Sequence, residues 1–268
     1  MSSLLSPDMP PLIVLPSGKS VYAEIHSRTS GGSPDIPIIF IHGFLNTTLT
    51  WVPVLPYFTG YTRILYDMEG HGNTPAGDAP ITISSLAQDL NDILDYHGYD
   101  EAIVVGHSAG TTVAMQFAHQ FPRKTELLVL MGPLGLPLPR DEMMANADLI
   151  RNMSMEDMVA HVMQWLGRRG KKDPKIRALV RSETERHDKL REGVARHMEA
   201  VAQYIFAGVG DVETWVVRGM DDRISHEKAA ESVRKLVHGR MIVLETGHYF
   251  TWENLDAAVD ALDRALGG

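Results

Sequence analysis

Several residue patterns that whole classes of protein require are missing from this chain. It contains no cysteine in 268 residues, so disulfides, thiolate metal sites and a cysteine nucleophile are excluded. Basic residues are also in the minority: 25 Lys and Arg stand against 34 Asp and Glu, which gives a formal charge of −9. Because nucleic-acid surfaces are usually basic, we expect no nucleic-acid partner.

Long hydrophobic runs are absent as well. No stretch approaches the roughly 18 consecutive apolar residues of a membrane-spanning helix. Residues 1–16 lack the basic start and apolar run of a secretion signal, and Asp8, Pro10 and Pro11 stand there instead. We therefore expect a soluble cytoplasmic protein with no membrane partner. The remaining composition, 44% hydrophobic and 22% charged, is typical of a globular domain with a substantial core.

Short apolar segments alternate with longer helical patterns along the chain, which indicates a mostly parallel α/β sheet flanked by helices. Strands are predicted at 21–26, 38–42, 62–67, 102–107, 126–131, 212–217 and 240–245, and helices at 83–96, 109–121, 226–236 and 255–266. Residues 137–210 show helical patterns without a convincing strand. The sequence thus predicts a core formed by residues 1–136 and 211–268, interrupted by a helical cap at 137–210.

The pentapeptide GHSAG at 106–110 lies between a predicted strand and a predicted helix. A G-x-S-x-G pattern in this context indicates a nucleophile elbow, a tight turn that exposes the serine at a helix N-terminus. The turn strains the serine backbone and leaves space only for small neighbours. Ser108 is therefore the candidate nucleophile.

A serine hydroxyl needs a base to remove its proton, and chains with this elbow place an acid and then a histidine after the serine. His248 follows the last predicted strand, where a base can reach Ser108. The acid is expected after the preceding strand, where Asp221 and Asp222 are adjacent. A carboxylate there would orient the imidazole and stabilise the imidazolium form. Spacing alone does not separate the two aspartates.

Two backbone N–H groups are expected to form an oxyanion hole, that of Ala109 after the nucleophile and that of Phe44 after the strand at 38–42. Gly43 would allow close approach of this loop. The histidines do not show the spacing of a metal site, and no G-x-G-x-x-G opens a helix. The sequence therefore predicts neither a metal nor a nucleotide cofactor.

Together these motifs resemble the α/β-hydrolase superfamily over nearly the whole chain. They are most similar to the branch of 3-oxoadipate enol-lactone hydrolases, small esterases and cofactor-free haloperoxidase-like enzymes. The segments that carry the resemblance are His42-Gly43 with Trp51, DMEGHG at 67–72, the elbow at 106–110, and Gly219-x-x-Asp222 with Gly247-His248. The family pattern places the acid three residues after Gly219, at Asp222, and implies an eight-stranded type of sheet. The chain departs from it at Glu69, where arginine is usual, and at Ala109-Gly110.

The resemblance implies hydrolysis of a small carboxylic ester or lactone through an acyl-enzyme at Ser108, without a cofactor. The same scaffold also supports C–C bond hydrolases, lactone receptors and cofactor-free dioxygenases, and these stay open as alternatives. Residues 137–210 hold 13 Lys and Arg against 11 Asp and Glu, although the chain as a whole is acidic. This contrast suggests the hypothesis that a carboxylate-bearing substrate is attracted to the cleft.

Overall fold

A computed structural model describes residues 12–29, 36–138 and 140–267. Its eight strands form one sheet with the order β1-β2-β4-β3-β5-β6-β7-β8. The strands are β1 Leu12–Val14, β2 Ser20–His26, β3 Ile38–Ile41, β4 Arg63–Tyr66, β5 Ala102–His107, β6 Thr125–Met131, β7 Thr214–Gly219 and β8 Arg240–Leu244. β1 and β2 pair antiparallel with their neighbours, and all other pairs are parallel. The predicted mostly parallel sheet is confirmed.

The helices are α1 Ile83–Tyr96, α2 Gly110–Gln120, α3 Arg140–Asn152, α4 Met155–Met163, α5 Arg168–Lys172, α6 Pro174–Arg186, α7 Arg191–Ala202, α8 Glu227–Leu236, α9 Phe250–Glu253 and α10 Leu255–Ala265. The predicted strands and helices agree with these bounds to within two residues. β1 is three residues long and too short to give a hydrophobic pattern, so it was not predicted. None of the helices in the described ranges is long and apolar enough to cross a bilayer.

The central strands are buried on both faces. In β3, Ile39 and Ile41 belong to one hydrophobic cluster, and Ile38 and Phe40 belong to the other. Successive side chains of a strand point to opposite faces, so a strand covered on both sides needs apolar residues at every position. This requirement explains why the strand sequences are uninterrupted apolar runs.

Five helices, α3 to α7, lie between β6 and β7 in the chain, and we call residues 140–202 the helical insert. The insert packs on itself through α3 with α7 and α4 with α6. It approaches the core at α7, where a Cβ built on Gly193 would lie 2.6 Å from the Cα of Gly70. Gly70 also has a φ of +79°, so both positions of this contact favour glycine. The cap boundaries at 137 and 210 stay a prediction.

Candidate active site

Ser108 occupies the turn between β5 and α2 with a φ of +52°, a left-handed conformation that residues other than glycine rarely adopt. Its N–H donates to the carbonyl of Met131 at 2.9 Å, and its carbonyl accepts from the amide of Thr111 at 2.9 Å. These two bonds tie the strained turn to β6 and to the first turn of α2. The rigid strand and helix on either side therefore set the position of the Ser108 side chain.

The glycines around the turn are required by close packing of the backbone. A Cβ on Gly106 would lie 2.6 Å from the carbonyl oxygen of Gly110, and one on Gly110 would lie 2.4 Å from the carbonyl oxygen of His42. A Cβ on Gly43 would lie 2.8 Å from the Cβ of Ser108. Side chains at these positions would separate α2 from β5 and β3, so the small residues of the motif have a steric cause.

The structure brings together Ser108, His248 and Asp222, which come from three separate loops. The Nε2 atom of His248 lies 2.9 Å from the Ser108 Oγ atom, and its Nδ1 atom lies 2.8 Å from Asp222 Oδ2. All three residues are buried, with exposures of 7%, 2% and 4% for Ser108, His248 and Asp222. The carboxylate of Asp221 instead binds the Arg168 Nε atom at 2.9 Å near the surface. Of the two adjacent aspartates, it is Asp222 that contacts the histidine.

The surroundings of Asp222 favour its charged form. Its Oδ1 atom accepts hydrogen bonds from the amides of Ile224 and Ser225, both at 2.8 Å. Burial opposes ionisation, but the charge and hydrogen bond of His248 and these two amides together lower the pKa of Asp222. An ionised carboxylate can only accept, so Nδ1 of His248 carries the proton and Nε2 is left to accept from Ser108. This tautomer is the one a general base needs.

The two amides predicted for the oxyanion hole have no hydrogen-bond acceptor within the part of the chain that the structure describes. Ala109 follows Ser108 directly, and Phe44 lines the same cleft as Ser108 and His248. The peptide group that carries the Phe44 N–H is held through its Gly43 carbonyl, which lies 2.8 Å from His42 Nδ1. The oxyanion hole formed by these two N–H groups stays a prediction.

His107 is a site residue that the sequence did not reveal. It is the last residue of β5, directly before Ser108, and its Nε2 atom lies 2.8 Å from the backbone carbonyl of His248. Burial lowers the pKa of His107 to about 3, so the ring is neutral and its Nε2–H donates to that carbonyl. The residue holds the backbone of the histidine loop. Since it occupies a variable position of the G-x-S-x-G pattern, the sequence offered no signal for this role.

His42 and Asp67 hold the loops beside the site. His42 donates from Nδ1 to the carbonyl of Gly43 at 2.8 Å and accepts at Nε2 from the amide of Met68 at 3.0 Å. Asp67 accepts from the amide of Thr48 at 2.8 Å. These contacts join the loop that carries the Phe44 amide to the loop after β4.

A cleft of about 520 Å³ opens over Ser108. Its lining comes from the core, the helical insert and α8, and includes Phe44, Leu134, Met143, His161, Trp165, Met198, Arg223, Ile224, Lys228 and His248. The ring centroid of Trp165 lies 6.4 Å from that of His248. Three charged side chains also line it, the cations Arg223 and Lys228 and the carboxylate Glu142. The cleft thus has a largely apolar lining that carries charges of both signs.

No group of three or more His, Asp or Glu side chains within 12–29, 36–138 and 140–267 is arranged to hold a metal ion.

Comparison with known proteins places the chain in a family. Residues 36–173 match the family described as alpha/beta hydrolase fold, which covers more than half of the chain. The chain belongs to the α/β-hydrolase fold family. The resemblance drawn from the motifs is therefore confirmed at the level of the superfamily.

Solved structures of the same fold align over nearly the whole chain. The enol-lactonase from Burkholderia xenovorans LB400 has a TM-score of 0.86 at 20% identity, over 96% of this chain and 100% of that chain. The thermophilic esterase from Thermogutta terrifontis has a TM-score of 0.83 at 18% identity, over 96% and 97%. At such low identity these likenesses show the fold alone.

Similar sequences among curated proteins match over a shorter segment. An uncharacterized protein of Mycobacterium bovis is 34% identical over 110 residues, which are 41% of this chain and 32% of that protein. Epoxide hydrolase 1 of Caenorhabditis elegans is 35% identical over 102 residues, 37% of this chain and 25% of the relative. The chain thus spans about a third or less of the length of these relatives.

Proposed function

We propose that the protein is a serine hydrolase that cleaves a small carboxylic ester or lactone, with Ser108 as nucleophile, His248 as general base and Asp222 as the orienting acid. One observation carries this proposal: a continuous hydrogen-bonded path leads from Asp222 Oδ2 through both ring nitrogens of His248 to Ser108 Oγ, with distances of 2.8 and 2.9 Å. This geometry gives a serine hydroxyl an acceptor for its proton while the oxygen attacks a carbonyl carbon.

In the first half of the reaction, Ser108 Oγ bonds to the substrate carbonyl carbon as its proton passes to His248 Nε2. The carbonyl oxygen becomes negative, and the amides of Phe44 and Ala109 supply hydrogen bonds to it. His248 then returns the proton to the leaving alcohol oxygen as the C–O bond breaks. An acyl group remains on Ser108, and the charge of Asp222 stabilises the imidazolium form during both transfers.

In the second half, His248 takes a proton from a water molecule that attacks the acyl carbon, and it returns that proton to Ser108 Oγ as the carboxylic acid leaves. With a lactone, the alcohol and the acid are parts of one molecule, so the product is a hydroxy acid. We further propose that residues 137–210 act as a cap. Support for this comes from Met143, Trp165 and Met198 of the insert, which line the same cleft as Ser108.

The proposal is tested with a fluorophosphonate probe and with p-nitrophenyl acetate and butyrate. The native protein should be labelled and should release p-nitrophenol, whereas Ser108→Ala should lose labelling and about 10⁴-fold or more of kcat. Ser232→Ala is a matched control, because Ser232 lines the same cleft but contacts α8 and the Leu136 amide instead of His248. Labelling that persists in Ser108→Ala, or a folded native protein that the probe does not label, would refute the proposal.

A further inference from the structure

Glu253, five residues after His248, has a buried carboxylate that is used by two parts of the molecule. It is 1% exposed. Its Oε2 atom accepts from the amides of Gly167 and Gly170 at 2.9 and 3.3 Å, and both glycines belong to the helical insert. Its Oε1 atom accepts from the amide of Tyr249 at 3.1 Å, next to the candidate base. One carboxylate therefore connects the insert to the backbone that carries His248.

Three glycines surround this carboxylate, and their lack of a side chain leaves room for it. A Cβ would lie 2.9 Å from Oε2 at Gly167, 2.8 Å from Oε2 at Gly170 and 2.4 Å from Oε1 at Gly247. The backbones of Gly167 and Gly247 also touch, since a Cβ on Gly247 would lie 2.2 Å from the Gly167 nitrogen. The insert and the histidine loop are thus shaped around the Glu253 side chain on both sides.

The charge of Glu253 is held by backbone N–H groups and not by a basic side chain. Burial has the largest effect and leaves the pKa of its carboxyl raised, although the three amides and the charge of His248 act in the opposite direction. The nearest part of the insert carries Arg168, whose guanidinium binds Asp221 at the surface. When it is ionised, Glu253 interacts electrostatically with His248 from a buried position, where water screens a charge only weakly.

Three further titratable groups face His248. Asp222 binds its Nδ1 atom at 2.8 Å, and the neutral His107 ring lies 4.8 Å from its ring. The ring of Tyr249 lies 6.0 Å away and adds no charge, because burial raises its pKa. His107 adds no charge, because burial lowers its pKa to about 3. Any positive charge that forms on His248 is thus balanced directly by Asp222 and at longer range by Glu253.

We propose that Glu253 is a positioning residue for the reaction, which fastens the helical insert to the His248 loop and adds a second negative charge that stabilises the imidazolium form of His248. The inference rests on the proposed function for its catalytic meaning. Its structural part concerns only the contact between Glu253, the insert and the histidine loop.

The charge is tested by Glu253→Gln, which keeps the size of the side chain but can accept at only one of its two terminal atoms, with Glu245→Gln as a matched control. Glu245 lies in the same loop, three residues before His248, but its side chain is exposed. In Glu253→Gln the imidazolium form is less stable, so the acidic limb of the profile of kcat/KM against pH should move to lower pH by about 0.5 unit. Glu245→Gln should leave the limb within about 0.1 unit of its native position, since water screens an exposed charge. An unmoved limb in Glu253→Gln overturns the charge effect.

The role of Glu253 in joining the insert to the His248 loop is tested by Glu253→Asp. This variant keeps the charge, but its side chain is one methylene shorter and cannot reach the insert and the Tyr249 amide together. Its acidic limb should stay at the native pH, while kcat on p-nitrophenyl acetate should fall about tenfold and KM should change less than about twofold. A native kcat in Glu253→Asp overturns the positioning role. This variant also decides the inference if Glu253→Gln does not fold.

A measurement without turnover separates this inference from the proposed function. The titration of the His248 Cε1–H signal can be followed by NMR, with the signal assigned by its loss in His248→Gln. A midpoint that moves to lower pH in Glu253→Gln, but not in Glu245→Gln, supports the inference even if no ester is cleaved. An equal midpoint in native protein and Glu253→Gln overturns it, whatever the activity.

Discussion

Four fully buried histidines meet where the helical insert packs on the core, and we expect them to make the stability of the protein depend on pH. The ring of His71 lies within 5.2 to 5.4 Å of the rings of His42, His187 and His197. Burial lowers the pKa of His42 and His197 to about 3, that of His187 to about 4, and that of His71 well below its usual value. The four rings are therefore neutral in the folded protein at neutral pH.

Replacing His197 with phenylalanine isolates this effect at one position. Neither ring nitrogen of His197 has a hydrogen-bond partner among the residues that the structure describes, and its ring packs edge-on against Phe44 at 5.1 Å. In the unfolded chain the imidazole takes up a proton near pH 6.5. In the fold it stays neutral until about pH 3. The stabilising contribution of His197 is therefore fully present above pH 6.5. It is lost as the pH falls below that value, because the unfolded chain then binds the proton more readily than the folded one.

The size of the loss follows from proton linkage. Relative to pH 8, His197 should reduce the free energy of unfolding by about 1.4 kcal/mol at pH 5.5 and about 2.7 kcal/mol at pH 4.5. Phenylalanine binds no proton, so the free energy of unfolding of His197→Phe should not fall by this amount. Asp67 and Asp89 act with the opposite sign, because burial raises their pKa to about 6 and the folded state gains as they protonate. The difference between native protein and variant cancels these contributions.

The assay is urea unfolding of both proteins at pH 8.0 and pH 5.5. Between these pH values the native protein should lose about 1.4 kcal/mol more than His197→Phe. His119→Phe is a matched control on the exposed surface of α2, where the side chain meets water in both the folded and the unfolded chain. It should follow the native pH dependence. If His197→Phe lost as much stability as the native protein over this range, the argument from burial would be wrong.

Three further predictions concern the site and the insert. Asp222→Asn should lower kcat on p-nitrophenyl acetate by about 10³- to 10⁴-fold, whereas Asp221→Asn should change it less than about threefold; equal losses would contradict the assignment of the acid. Arg223→Gln should reduce kcat/KM several-fold for p-nitrophenyl hemisuccinate at low salt but not for the butyrate ester, and equal effects on both would remove the idea of a carboxylate-bearing substrate. Gly193→Ala should lower the free energy of unfolding by about 1–3 kcal/mol in urea, because its Cβ would collide with Gly70, and unchanged stability would show that the insert can shift.

Much of the fold and of the site could be predicted because it depends on short-range rules. A strand buried on both faces must be apolar throughout, and this made β3 and β5 visible in the sequence. A serine in a strained turn needs glycines at fixed positions beside it, which made Ser108 recognisable within five residues. His248 followed from its place after the last strand, since loops at the carboxyl ends of parallel strands meet at one edge of the sheet.

The choice between Asp221 and Asp222 shows where local rules end. Both residues lie in the same turn, and sequence spacing treated them alike until the family pattern favoured the second. In the structure one carboxylate points to Arg168 at the surface and the other to His248 in the interior. This difference depends on where Arg168 and His248 lie relative to the turn. The residue types and the spacing of the two aspartates do not show it.

The sequence by itself determined which residues must be apolar, small or reactive at each point of the chain, since these requirements concern neighbours along a strand, a helix or a turn. Only the tertiary structure decided which distant partners the buried polar groups would find. Glu253 accepts a hydrogen bond from the amide of Gly167 in the insert, and His107 donates one to the carbonyl of His248. A buried polar group needs a hydrogen-bond partner, but any backbone amide or carbonyl can be that partner. Which one it finds therefore depends on how the chain packs and not on residue type.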